Sequence, residues 1–133
     1  MDVYITAEAM TSLRALSHFP KAELEGFLIG HRRGARHVVE KVLPTVKGFF
    51  PTLEAFAASD RALHGAVVGF FSFKPGRERL KRILAPFACE KVFVDASGVA
   101  RGRSGPLAFV IEFERRFGLR PVACVVEKEG SRE

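Results

Sequence analysis

Residues 65–73, GAVVGFFSF, run without a charged side chain between Gly65 and the terminator Lys74-Pro75-Gly76. A short continuous apolar run of this kind, rich in Val and Phe, predicts a strand buried on both faces. A strand buried in that way needs paired neighbours and cover on its two sides, which commits the chain to a layered fold.

The flanking segments supply candidates for that cover. From Thr6 to His18, Ala9, Met10, Leu13, Leu16 and Phe19 recur at spacings of three and four, predicting an amphipathic helix capped by Thr6 and stopped by Pro20. Two apolar runs, Gly26 to Ile29 and His37 to Leu43, flank a Gly- and Arg-rich turn and read as a β-hairpin. Residues 46–60 hold Gly48, Phe49, Phe50, Pro51 and Phe56 without periodicity. They predict a long connection of the kind that covers a site, followed by a short helical turn from Ser59 to Leu63.

After Gly76, Leu80, Ile83, Leu84 and Phe87 share one helical face, with Arg77, Arg79, Lys81 and Arg82 outside it and Pro86 ending it. KVFVDAS reads as a short buried strand and GVARGRSGP as a basic loop. Phe109, Val110, Phe113 and Phe117 fit a helix opened by Ser104-Gly105-Pro106, with a strand over Leu107 to Phe113 as the alternative. PVACVVEK is a last strand. With no repeat and no linker, the expectation is one domain over residues 1–128 and a disordered tail at 129–133. Its predicted fold is α/β (α+β): a single-layer mixed β-sheet packed by helices.

Composition narrows the function classes. At 133 residues, with 47% hydrophobic and 27% charged residues, the chain can bury enough surface to fold without a disulfide or a metal. Lys and Arg number 21 against 15 Asp and Glu, a surplus of +6 that suits acidic partners. The basic runs around Arg32-Arg33, Arg77 to Arg82, Arg101-x-Arg103 and Arg115-Arg116 read as solvated faces. The phenylalanines sit in apolar runs instead of alternating with these charges as stacking platforms would, so nucleic acid is not the favoured partner. The N-terminus has no apolar leader and no stretch approaches the ~18 to 20 apolar residues of a membrane span, so no membrane and a cytoplasmic location are expected. Cys89, Cys124, His18, His31, His37 and His64 show no metal-ligand spacing, and the two cysteines read as buried free thiols.

Two motifs remain. One is Glu23-Leu24-Glu25-Gly26-Phe27-Leu28-Ile29-Gly30; the other is Val67-Val68-Gly69-Phe70-Phe71-Ser72-Phe73-Lys74-Pro75-Gly76, running into the basic helix. Together they resemble the MPN/JAMM domain, the family of deubiquitinase-type and JAB-like metalloproteases and their inactive relatives, which implies a cytidine-deaminase-like architecture. In the active branch E-x-x-G-x-L-x-G carries a general acid/base, and H-S-H-P-G followed by S-x-x-D binds zinc. By this resemblance Glu23 holds the position of the catalytic carboxylate, while Ser72 and Lys74 replace the two histidines. Arg82 and Ala85 replace the serine and aspartate.

A hydroxyl does not supply an imidazole lone pair, and Lys74 and Arg82 bring positive charge to a cation's place, so no zinc and no other cofactor is expected. Glu23, Ser72, Lys74 and Arg82 then form a vestigial pocket in which Glu23 pairs with a cation. The resemblance implies a non-catalytic scaffold that binds protein or pairs with a second copy, a JAMM-like pseudoenzyme. Phe49, Phe50 and Phe56 are interface candidates, and Arg77, Lys81, Arg101 and Arg103 are candidate anion or partner contacts. The alternatives are a metal-dependent isopeptidase or hydrolase with a site rebuilt from His18, His31, His37 or His64, and a basic-surface nucleic-acid-binding protein.

Overall fold

The structure, a computed structural model, describes residues 1–18, 25–44, 53–74, 76, 84, 86–100, 102 and 105–128. In chain order these form β1 (Asp2–Ile5), α1 (Ala7–Ser17), β2 (Glu25–Arg33), β3 (Arg36–Pro44), α2 (Leu53–Ala62) and β4 (Val67–Ser72). A 3-10 turn (Pro86–Ala88), β5 (Val92–Asp95), α3 (Ser97–Ala100), β6 (Leu107–Phe113) and β7 (Phe117–Val126) follow.

The seven strands close into a barrel in the order β1-β3-β2-β4-β5-β6-β7, with β7 returning to β1. This corrects the expected single-layer sheet packed by helices, and with it the MPN/JAMM-like, cytidine-deaminase-like architecture. The closing element is β1, a four-residue strand absent from the sequence reading. It lies parallel to β3 on one side and to β7 on the other, and so joins what would be the two free edges of an open sheet. Val3 and Ile5 are fully buried. Asp2 and Arg36 form a bidentate pair at 2.9 and 2.8 Å, and the Arg36 guanidinium lies 5.1 Å from the centre of the Tyr4 ring. The guanidinium holds the Asp2 carboxyl below its ordinary range, so the pair stays charged at neutral pH.

Three motif glycines serve this closure. A Cβ on Gly26 would run into the Leu43 carbonyl, one on Gly30 into that of Val38, and one on Gly69 into that of Val92. Neighbouring backbones approach most closely where no side chain stands between them, as strongly coiled barrel strands require. Register shifts at Leu28/Ile29 against β4 and at Ile29/Gly30 against β3 sharpen the coiling.

Two apolar clusters result. The first draws residues from all seven strands, among them Val3, Leu28, Val39, Phe71, Val94, Val110 and the half-buried Cys124, and therefore fills the barrel; Ala9, Met10 and Leu13 of α1 pack into it. Thr6 caps that helix, its hydroxyl accepting the Ala9 N–H at 3.2 Å, as the sequence predicts. The second cluster lies on the outer wall of β2, β4, β5 and β6. There Phe27, Phe70, Phe93 and Ile111 are covered by Phe56 and Leu63.

The hairpin, β4 and β5 follow the sequence reading. Helix α2 is longer than the short turn expected and occupies part of the supposed irregular connection. Residues 107–113 form a strand, the alternative reading, because β6 has barrel core on one side and the outer cluster on the other, which erases the alternation that marks a strand. The basic loop after β5 contains α3. The helix expected after Gly76 falls largely outside the described residues, as does the tail at 129–133.

Candidate functional site

Two groups of polar side chains lie at opposite ends of the barrel. At one end, where β2 starts and β4 and β5 finish, Glu25 stands opposite Ser72 and Ser72 opposite Asp95 in the ladder. Directly opposed residues share a face, so the three form a polar row on the outer wall, continuing the row of Phe27, Phe70 and Phe93. Glu25 is 2% exposed and Ser72 fully buried. The Ser72 hydroxyl accepts the Lys74 N–H at 3.1 Å, and the Asp95 carboxylate accepts the Ser97 N–H at 2.9 Å. Both groups are thus used to turn the chain out of its strand. Lys74 itself is exposed.

Of the other residues singled out in the sequence, Glu23, Arg82, Ala85, Arg77, Lys81, Arg101, Arg103, Phe49 and Phe50 lie outside the described residues. Phe56 is half-buried on α2, its ring 6.1 Å from that of Phe70. Sequence reasoning passed over Glu25 and Asp95. Their signal was a charge at the edge of an apolar strand, in E-L-E-G and V-F-V-D.

The opposite end carries a cleft of about 420 Å³. It is lined by the end of β2 (Gly30, His31, Arg32), by His37 at the start of β3, by the α2–β4 turn with His64 and Gly65, and by Cys89, Glu90 and Lys91. Three of the four histidines therefore meet there, while His18 caps the C-terminus of α1. His31 and Glu40 pair at 2.5 Å on the exposed hairpin. Lys91 donates to the Val67 carbonyl at 2.9 Å and lies 5.6 Å from the centre of the Phe56 ring, tying the turn before β5 to β4 and α2. Cys89 is exposed and Cys124 half-buried, which corrects the expectation of two buried thiols; burial pushes the Cys124 thiol up to about 11, leaving it inert at neutral pH. Among the described residues no three His, Cys, Asp or Glu side chains are placed to hold a metal ion.

His37 is the buried member of the cleft, 3% exposed. Its Nε2 lies 3.2 Å from the Glu90 carbonyl, to which a neutral ring donates; Nδ1 is then an acceptor, buried and without a hydrogen-bond partner. Burial chiefly, then the charges of Arg32 and Lys91, lower the imidazole pKa, against the opposing pull of the Glu90 carbonyl and carboxylate. The unfolded chain binds a proton near the ordinary value of 6.5 and the folded chain only below it. The contribution is therefore fully present above pH 6.5 and is lost as pH falls from there through the folded-state value. Urea midpoints measured at about pH 7.5 and 5.5 should fall in the native chain and fall less in His37→Asn. An equal fall in both would place the pH dependence elsewhere.

No family model and no curated protein matches the chain. Among solved structures it is similar to protein DSY2949 of Desulfitobacterium hafniense, determined in solution, at a TM-score of 0.67 and 19% identity over 96% of this chain and 94% of that one. A likeness at that identity speaks to the fold alone. No described helix is long and apolar enough to cross a membrane.

Proposed function

We propose that the protein is a non-catalytic binding module that works as a homodimer, pairing through the outer wall of β6, β7 and β1. The observation that carries this reading is the exposure of large apolar side chains on that wall. Leu107 is 57% exposed, with Pro121, Ala123 and Val125 of β7 exposed near it, and Phe113, 59% exposed, stands against Phe117 at the far end of the β6–β7 ladder. Among the described residues the helices pack mainly elsewhere, α1 against β3 and α3 and α2 against β4. Exposed apolar side chains clustered on one sheet face mark association surfaces more often than scattered single ones do.

The charges bordering the wall select a second copy as the occupant. Asp2, beside Ala123 on the outer face, is paired with Arg36, so the charge at this part of the wall is balanced on a chain that carries +6 overall. Two copies meeting here avoid the repulsion that their net charge produces elsewhere, whereas an acidic partner gains little at a balanced face. The exposed Cys89 thiol suits a reducing compartment, and we place the protein in the cytoplasm.

Light scattering at high micromolar concentration should give the mass of two chains. Leu107→Asp with Phe113→Asp should return it to one chain while leaving far-UV circular dichroism unchanged, since neither side chain belongs to the cores. A single-chain mass for the native protein under those conditions would remove the proposal.

A further inference from the structure

We propose that the cleft between β2, β3, the α2–β4 turn and the turn before β5 binds a small oxyanion that keeps a proton, the chemistry shared by inorganic phosphate and phosphate monoesters. Three observations converge on it. First, the cleft floor holds a buried acceptor in need of a donor: His37 Nε2 is engaged by the Glu90 carbonyl, and Nδ1 has no partner. A buried nitrogen left in that state is costly unless something donates to it, and a P–OH group is such a donor.

Second, Arg32 and Lys91 both lie within electrostatic reach of the His37 ring, and neither is paired with a carboxylate among the described residues. Arg32 uses Nε on the Gly34 carbonyl, which leaves the outer edge of its guanidinium for a charged oxygen. The Glu90 carboxylate, also within reach of His37, opposes a second negative charge and so favours a singly charged anion over a doubly charged one.

Third, the cleft walls are held in costly backbone conformations. His64 has φ 54° and Glu90 φ 70°, left-handed values for residues that carry a Cβ. Each is fixed by its own amide, His64 donating to the Arg61 carbonyl at 3.3 Å and Glu90 to that of Ile111 at 2.7 Å. Two such residues facing one cavity follow the tendency of strained backbone to collect at ligand sites.

The discriminating experiment titrates the full chain with inorganic phosphate and with sulfate at equal ionic strength and about pH 7, following backbone amide shifts. Sulfate has the same shape but carries no proton there. Phosphate should saturate and move the amides of Gly65, Glu90 and Lys91, and sulfate should bind at least about fivefold more weakly because it offers nothing to His37 Nδ1. Arg32→Ala should weaken phosphate roughly tenfold, the loss of one charge-assisted contact, without moving the melting temperature, because the side chain is exposed. A third arm with ribose 5-phosphate separates the sources: tighter binding than free phosphate assigns the cleft to an esterified ligand, and equal or weaker binding to the free anion. Failure of phosphate to saturate, equal binding of sulfate, or an Arg32→Ala variant that binds as well as the native chain would each overturn the assignment.

Discussion

Gly69→Val is expected to destabilise the protein by about 3 kcal/mol or more. The new Cβ would fall on the Val92 carbonyl and within 2.7 Å of the Val92 side chain. Relief by sliding is blocked, because β4 is hydrogen-bonded to β2 on one side and β5 on the other at this position. Gly118→Val is the matched control. It also lies in a strand, β7, yet a Cβ there meets nothing within 4 Å, so its cost should stay within about 0.5 kcal/mol. Urea unfolding of the two variants tests the point, and similar midpoints would mean that the glycine is kept for something other than strand approach.

Deleting residues 1–5 should have an effect of comparable size. The deletion removes Val3 and Ile5, each worth about 1.5 to 3 kcal/mol as a fully buried side chain, against a total stability of about 5 to 15 kcal/mol for a typical domain. It also strips the ladder groups of β3 and β7 that β1 satisfies and leaves the two as open edges. The shortened chain should lose its cooperative unfolding transition and aggregate as concentration rises, as seen by circular dichroism and size-exclusion chromatography. A monomer that unfolds cooperatively near the native midpoint would show that the barrel does not depend on β1 for closure.

These two variants also mark where sequence reading succeeds and stops. Gly26, Gly30 and Gly69 were visible as motif positions, and the strands that carry them were placed correctly from apolar runs and turn residues. Their reading through a metalloprotease pattern did not anticipate what the structure makes of them, which is contact between backbones. β1 escaped because Asp2–Ile5 is short and gains meaning only between β3 and β7. Leu107 to Phe113 was ambiguous for the opposite reason: Ala108 and Val110 face the barrel core while Phe109 and Ile111 face the outer cluster, so no alternation survived to distinguish strand from helix.

The candidate sites divide in the same way. The apolar run places Ser72 at the end of a buried strand, but the commitment of its hydroxyl to the Lys74 amide depends on how the chain leaves β4. His31, His37 and His64 were seen as scattered histidines. Bringing them into one cleft requires the α2–β4 turn to fold over the β2–β3 hairpin, a contact between segments about thirty residues apart that no local spacing encodes.

By itself the sequence determined the local elements: a capped first helix, a hairpin, two apolar strands in the middle and a last apolar strand, each set by side-chain periodicity and by the backbone limits of Gly and Pro. Only the tertiary structure decided that the sheet closes, which large apolar side chains among the described residues are exposed and which polar groups share an end of the barrel. Those outcomes depend on pairings between distant strands and on how closely their backbones approach, and such quantities exist only once the chain is folded.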